Sequence, residues 1–154
     1  RPTDTLALLK DLNEGIAARI VYESRETEGT QTPLETLDRG RGTCRDLALL
    51  LVEAARILGL GARIVSGYLH DPRADLTGSS GDGSTHAWAE IYLPGAGWIA
   101  FDPTNRSVGS GNLIPVAVAR DVHQVVPVAG SFAGPPDALL DFAVRVTVGT
   151  TAAP

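Results

Sequence analysis

Methionine is absent from the 154-residue chain, and cysteine occurs once, at Cys44. A single cysteine excludes an internal disulfide and a metal site built from several cysteines. It leaves two interpretations of Cys44, as a buried inert thiol or as a reactive one. Because the chain opens with Arg1-Pro2 and has no methionine, we expect it to be a segment of a longer protein.

Long apolar runs and clusters of basic residues are also missing. No stretch approaches the roughly 18 consecutive apolar residues of a membrane span, so no membrane partner is expected. The net charge is -5 and Lys and Arg form no block, which argues against nucleic acid as a partner. Apolar residues make up 44% and charged residues 20%, as in soluble folded proteins. We expect one soluble domain over residues 1–154, cytoplasmic in location, that acts on a small or peptidic substrate.

Helical patterns fill the first third of the chain. Leu9, Leu12, Ile16 and Ile20 predict a helix over residues 5–21, with Thr3 or Asp4 as its cap. The run Thr32-Pro33-Leu34-Glu35 predicts a capping box that opens a short helix ending at Gly40. A third, buried helix is predicted from Cys44 to Leu58, followed by Gly59. Cys44 therefore falls in the first turn of a helix.

Strand patterns follow from residue 62 onwards. A strand is predicted over Ala62 to Tyr68, then a mobile loop from His70 to Gly83 that is rich in Gly, Ser, Asp and Pro. The runs His86 to Tyr92 and Trp98 to Asp102 predict a hairpin. Alternation from Phe142 to Val148 predicts a last, half-buried strand. The intervening region has one apolar run near residues 114–119, and no element is assigned to it.

Three residues in this frame support nucleophilic catalysis. The N-terminus of a helix stabilises a thiolate, the reactive form of cysteine, so the position of Cys44 favours reactivity. Gly40 and Gly42, just upstream, would let a substrate backbone approach the thiol. His86 begins a strand directly after the Gly/Ser loop, a setting suited to a general base, and Asp102 ends the partner strand. Each alone also fits a structural role, as a packed thiol, a core histidine or a turn former.

The register of the hairpin decides how near His86 and Asp102 lie. If they are directly opposite, the turn is centred on Pro94 with a loop of about three residues. A tighter pairing around Gly95-Ala96 sets Asp102 about three positions away. The sequence leaves both registers open. In either, the chain order Cys, His, Asp matches the nucleophile, base and orienting residue of a triad.

Several motifs together resemble the bacterial transglutaminase-like family. They include Gly42-Thr43-Cys44-Arg45-Asp46, Gly67-Tyr68, the segment from His86 to Tyr92, Gly97-Trp98 and Phe101-Asp102-Pro103-Thr104-Asn105. Two later runs, at residues 119–122 and 126–130, extend the resemblance over nearly all of the chain after Tyr22.

The resemblance implies an α+β, papain-like core in which the cysteine helix packs on an antiparallel sheet. It carries a Cys-His-Asp triad onto Cys44, His86 and Asp102, and it implies an N-terminal β-rich domain that contacts this one in the full protein. The expected oxyanion donors are the backbone N–H of Cys44 and the side chain of Tyr22.

The expected activity is cleavage or transfer of a peptide or amide acyl group, with hydrolysis by a cysteine peptidase or amidase favoured over transfer to a lysine by a transglutaminase. A catalytically silent peptide-binding module and a zinc site made of Cys44, His86 and Asp102 are the competing hypotheses. No cofactor or metal is expected, since Asp71, Asp75 and Asp82 lack the spacing of a calcium loop.

Four further residues receive structural interpretations. Trp88 and Trp98 are expected in the core or as walls of the cleft. Asp46 is expected to complement the N-terminus of the cysteine helix, with a minor role in orienting substrate, and Arg45 is expected to be solvated. Glu90, on the same strand face as His86, fits either a carboxylate of the cleft or an exposed residue.

Overall fold

The computed structural model describes most of the chain, with gaps at both ends and in six internal segments. The described residues are 4–25, 29–70, 82–127, 129–131, 133–135, 137–140 and 146–148. In the part it describes, no helix is both long enough and apolar enough to cross a bilayer.

The first helix, α1 (Thr5–Arg19), begins where the sequence predicts and ends two residues earlier. The Asp4 side chain caps it by accepting hydrogen bonds from the backbone N–H groups of Leu6 and Ala7, at 2.9 and 3.2 Å. Leu9 and Ile16 on its inner face are buried. An amphipathic pattern with a polar cap therefore fixes both the start of α1 and its orientation on the core.

A short parallel pair of strands frames the second helix. Strand β1 (Val21–Tyr22) precedes α2 (Pro33–Arg39), and β2 (Arg41–Gly42) follows it. The predicted capping box of α2 is present between Thr32 and Glu35, and Gly40 ends the helix with a left-handed φ of 64°. Because β1 and β2 run parallel, Tyr22 lies opposite Gly42.

The third helix, α3 (Cys44–Ile57), is the centre of the fold. It starts at the predicted residue and packs against the sheet on one side and against α1 and α2 on the other. Its buried residues carry the apolar stripe that the sequence indicates. They are Leu47, Ala48, Leu50, Leu51, Val52 and Ala55.

One antiparallel sheet covers α3. Its strands are β3 (Ala62–Leu69), β4 (Asp82–Leu93), β5 (Gly97–Asp102), β6 (Ser107–Val108) and β7 (Leu113–Ala119). They lie in the order β6-β5-β4-β3-β7, with β3 and β4 in the middle. A 3-10 helix, Val122–Val125, follows β7 and buries Val122 and Val125. The predicted α+β class, helices on an antiparallel sheet, is confirmed.

The hairpin of β4 and β5 has neither of the two registers considered from sequence. Leu93 pairs with Gly97, so the loop is Pro94-Gly95-Ala96 and the turn is centred on Gly95, whose φ is 85°. Extending this register puts Asp102 opposite Trp88, two residues from His86. Since side chains alternate along a strand, His86 and Asp102 lie on the same face as diagonal neighbours.

The remaining sequence predictions have mixed outcomes. β7 and the 3-10 helix occupy the region to which no element was assigned. Of the last predicted strand, residues 142–145 lie outside the described residues, and Val146–Thr147 form a short strand, β8, paired with Asp82 and Gly83 of β4. Most of the predicted loop, residues 71–81, also lies outside them.

Candidate active site

Cys44 is the first residue of α3 and is half-buried against the core. Thr43 caps the helix: its hydroxyl accepts a hydrogen bond from the backbone N–H of Asp46, and Asp46 accepts one from the backbone N–H of Thr43 at 2.8 Å. The first N–H groups of a helix have no partner within it, and the positive end of the helix dipole lies there. The fold therefore holds the thiol where a negative charge is stabilised.

Asp46 is a fully buried carboxylate two residues after the thiol. Arg25 pairs with it at 3.0 Å, Gln31 donates from its backbone N–H at 2.7 Å and from its side chain at 2.9 Å, and the Thr43 hydroxyl lies at 3.0 Å. Burial alone raises the pKa of Asp46, but the hydrogen bonds from Thr43, Gln31 and Arg25 lower it below its ordinary value. The expected role of Asp46 at the helix start is present and is wider than predicted.

This network explains Gly42. A Cβ atom on Gly42 would lie 2.9 Å from the Cβ of Asp46, so any side chain there would push the carboxylate away from its donors. Gly40 adopts the left-handed backbone conformation that ends α2. The interpretation that both glycines leave space for a substrate is therefore replaced by a structural one. Gly40 ends α2, and Gly42 lets the loop come close to Asp46.

His86 and Asp102 form a buried pair on adjacent strands. The Nε2 atom of His86 lies 2.7 Å from Oδ2 of Asp102, and the side chains are 5% and 1% exposed. A carboxylate only accepts hydrogen bonds, so Nε2 carries the proton that it donates to Asp102. The other ring nitrogen, Nδ1, is then the one available for the hydrogen bond with Cys44.

Asn105 completes the surroundings of Asp102 and was not singled out from sequence. Its side-chain amide donates to Oδ2 at 2.7 Å, while the backbone N–H groups of Thr104 and Asn105 donate to Oδ1 at 3.0 and 3.3 Å. Both oxygens of Asp102 are thus fully occupied. The signal in the sequence was Asp followed three residues later by Asn in a turn, a pattern typical of local side-chain to backbone bonding.

The pKa of His86 is raised and the pKa of Asp102 is lowered. Burial alone lowers the pKa of His86, but the hydrogen bonds with Asp102 and Cys44 and the charges of both groups outweigh it and raise the pKa to about 9. Burial alone raises the pKa of Asp102, and the hydrogen bonds from His86 and Asn105 lower it below its ordinary value. The raised pKa of His86 and the lowered pKa of Asp102 favour an imidazolium paired with a carboxylate.

All three residues selected from the sequence meet at His86. It bonds Asp102 through Nε2, and its hydrogen bond with Cys44 contributes to the raised pKa. Tyr22, the expected second oxyanion donor, lies close by because β1 pairs it with Gly42. Burial and the negative charge of Cys44 raise the pKa of Tyr22, so its hydroxyl keeps its proton. His86 can hold the proton of the Cys44 thiol, and the Tyr22 hydroxyl can donate a hydrogen bond near it.

The two tryptophans have different positions. Trp88 is 1% exposed and its ring stacks near the His86 ring, 6.2 Å between centroids, so it is a core residue below the site. Trp98 is 41% exposed and carries the Arg63 guanidinium 4.0 Å above its ring, which corrects its expected place in the core or cleft wall. Glu90 pairs with Arg63 at 2.7 Å and its side chain is 17% exposed, so it is not the exposed residue of the second interpretation.

The expected solvation of Arg45 is wrong, since its side chain is half-buried beside Cys44. Among the residues that the structure describes, no group of three or more His, Cys, Asp or Glu side chains is arranged to hold a metal ion.

Comparison with known proteins places these residues in a family. The model of the transglutaminase-like superfamily matches residues 1–103, which include Cys44, His86 and Asp102. An uncharacterized protein of Mycobacterium leprae is 37% identical over 114 residues, 74% of this chain and 40% of that protein. The uncharacterized protein YebA of Bacillus subtilis is 30% identical over 69 residues, 41% of this chain and 9% of its own length.

Solved structures share the fold. A candidate cysteine protease from Cytophaga hutchinsonii is 26% identical, with a TM-score of 0.65 over 80% of this chain and 39% of that one. LapG of Legionella pneumophila is 19% identical, with a TM-score of 0.57 over 77% of this chain and 67% of its own. The predicted papain-like, transglutaminase-like fold is confirmed by these likenesses. The chain spans about 40% of the M. leprae relative and a similar share of the C. hutchinsonii protein.

Proposed function

Because the chain belongs to the transglutaminase-like superfamily, we propose that it is a thiol acyl-transfer enzyme with Cys44 as nucleophile, His86 as acid and base, and Asp102 as the residue that orients the histidine. The observation that carries the proposal is the position of His86, held by a 2.7 Å hydrogen bond to Asp102 while it interacts with Cys44. The orienting bond fixes the tautomer that leaves Nδ1 facing the thiol.

The reaction starts from the ion pair in which the thiol proton has passed from Sγ of Cys44 to Nδ1 of His86. The thiolate attacks the carbonyl carbon of an amide, and the carbonyl π electrons move to oxygen. When the tetrahedral intermediate collapses, the C–N bond breaks and the imidazolium gives its proton to the leaving amine. A thioester on Cys44 remains, and His86 is now neutral. Water then attacks the thioester with His86 as base, and the acid and free thiol are released.

We infer two donors to the oxyanion. The first is the backbone N–H of Cys44 at the start of α3, and the second is the hydroxyl of Tyr22, a residue that pairs with Gly42 two positions before the thiol. Donors held by secondary structure need no reorganisation during the reaction, which is where such sites gain most of their rate. Loss of one donor costs about 100-fold to 1,000-fold in other enzymes of this type of chemistry.

Hydrolysis is the favoured outcome, and the substrate class is a peptide or protein. The likeness to a candidate cysteine protease at 26% identity supports this choice. If a lysine amine instead of water takes the acyl group, the enzyme is a protein-glutamine transglutaminase. A silent peptide-binding module of the same fold would keep the geometry and lack turnover.

The first test is alkylation of Cys44 by iodoacetamide, between pH 5 and 10, in the native protein and in His86→Ala. We expect rapid modification at pH 6 to 7 in the native protein, because His86 is an imidazolium there and stabilises the thiolate. The variant should react at least tenfold more slowly in this range. His70→Ala, which removes the histidine directly after β3, is the matched control and should react like the native protein. Equal rates in all three proteins would contradict the thiol–histidine pair.

A peptide library then separates the outcomes. Cleavage that Cys44→Ser abolishes supports the peptidase, while incorporation of an added primary amine in place of cleavage supports the transglutaminase. A reactive thiol with neither product supports the binding module.

A further inference from the structure

A groove opens beside the first turn of α3. It has a volume of about 480 Å³, and its walls include Arg45 from α3, Thr30 from the loop before α2, and Val122, Val126 and Pro127 from the 3-10 helix and the residues after it. A smaller hollow of about 50 Å³ shares Val126 and Pro127 with it. The two hollows are therefore neighbours, and the larger one, with Arg45 in its wall, is called the groove below.

The groove lies next to the candidate catalytic residues. Arg45 in its wall is the direct neighbour of Cys44 on α3. Gly67 in the wall of the smaller hollow pairs with His86 across β3 and β4. A peptide residue bound in the groove would thus lie close to the thiol. This placement makes the groove the natural site for substrate residues next to the reacting amide.

Arg45 is the unusual side chain of the groove. Within the part of the chain that the structure describes, its guanidinium has no hydrogen bond or ion pair. The other half-buried arginines all have carboxylate partners: Arg25 has Asp46, Arg56 has Glu53 and Arg63 has Glu90. Burial lowers the pKa of Arg45 below its ordinary value, and the negative charges of Cys44 and Asp46 offset only part of this effect. A guanidinium stays charged under such opposing effects, so Arg45 is a cation without a partner at the site.

Burial of a charge is costly unless it is paired, and the guanidinium is suited to a carboxylate because it donates two parallel hydrogen bonds. The apolar walls formed by Val122, Val126 and Pro127 can pack against the aliphatic part of a bound residue. The net charge of the chain is -5, so the protein as a whole does not attract anions. Any preference for an anionic substrate must come from a local group.

We propose that this groove binds a carboxylate of the peptide substrate, with Arg45 as its charge partner and as the residue that determines specificity. The proposal rests on the proposed thiol acyl transfer at Cys44 and adds the chemical class of the substrate. An acidic side chain and a free C-terminal carboxylate share this chemistry, and the test distinguishes them.

The test uses thiol reagents, so that it does not depend on turnover of an amide. Two maleimides with tails of equal length, one ending in a carboxylate and one in a carboxamide, react with Cys44 in the native protein and in Arg45→Gln, Arg45→Lys and Arg41→Gln. Arg41 is the matched control, since its side chain is 63% exposed, lies three residues from Cys44 and is outside the groove. Measurement at about 0.15 M salt limits long-range attraction to roughly 8 Å.

We expect the carboxylate-to-carboxamide rate ratio to fall about tenfold in Arg45→Gln, the effect of about 1.4 kcal/mol for one charge-assisted pair. Arg45→Lys should keep part of the ratio and Arg41→Gln should keep all of it. An unchanged ratio in Arg45→Gln would overturn the proposal. So would an equal loss of rate with both reagents, because Arg45 would then act on the thiolate and not on the bound anion.

Peptide substrates identify the source of the carboxylate. Peptides with an internal Asp or Glu are compared with Asn or Gln peptides, and peptides with a free C-terminus are compared with C-terminal amides. A preference that Arg45→Gln removes in one series assigns that source. If no peptide is cleaved while the maleimide ratio still depends on Arg45, the acyl-transfer proposal is contradicted and the anion-binding proposal is supported. If peptides are cleaved without any preference for a carboxylate, the anion-binding proposal is contradicted and the acyl-transfer proposal is supported.

Discussion

The raised pKa of His86 makes the stability of the protein depend on pH in a defined direction. In the unfolded chain the histidine has a pKa near 6.5, and in the fold it is raised to about 9. The imidazolium is therefore bound more tightly by the folded state. Its contribution to stability is complete below about pH 6.5 and is lost as the pH rises through 9. At about 1.4 kcal/mol per pH unit, the full contribution is about 3 kcal/mol.

The perturbation is a change of pH from 6 to 10 in the native protein and in His86→Gln. Urea unfolding at each pH gives the free energy of unfolding, and circular dichroism should follow it, because the His86 ring stacks near Trp88 and would alter the fluorescence on its own. Between pH 6 and pH 10, the free energy of unfolding should fall by about 3 kcal/mol more in the native protein than in His86→Gln. The assigned charge state of His86 would be refuted if the free energy of unfolding fell equally in both proteins. It would also be refuted if the native protein became more stable than the variant at high pH.

Two further predictions concern the packing around the site. Gly67→Ala should lower the free energy of unfolding by about 2 kcal/mol or more, since the new Cβ would collide with the backbone carbonyl of Ile114, whereas Gly111→Ala, with open space around it, should change it by less than about 0.5 kcal/mol in the same urea titration. Asp46→Asn should cost about 3 kcal/mol in thermal or urea unfolding, because the charge of Arg25 loses its buried partner. An Asp46→Asn variant with native stability would show that this network does not hold the start of α3.

The helices and the hairpin could be predicted because their signals are local. A polar cap followed by apolar residues at helical spacing marked the starts of α1, α2 and α3 at Thr5, Pro33 and Cys44. The same local logic placed Cys44 at the start of a helix and His86 and Asp102 on paired strands. Candidate catalytic residues that lie at the ends of helices and strands can therefore be predicted from a sequence.

Contacts between distant segments were not visible. The burial of Arg45 depends on the 3-10 helix, which packs near α3 although it lies almost 80 residues later in the chain. The donors to Asp46 come from Arg25 and Gln31, which no periodic pattern links to the cysteine helix. Register is also a property of the folded turn: the loop centred on Gly95, not the hydrophobic pattern alone, decided where Asp102 lies relative to His86.

Strand β7, at one edge of the described sheet, has a consequence for association between molecules. Ile114, Val116 and Val118 are exposed along it, and an apolar strand at a sheet edge is of the kind that can pair with a strand of another chain. The strand also carries Pro115, which has no backbone N–H to offer, and a bulge at Val116, where the register with β3 shifts by one residue. The irregularity that lets Gly67 approach this strand closely thus also interrupts its outer edge, and it protects an apolar edge from intermolecular sheet formation and aggregation.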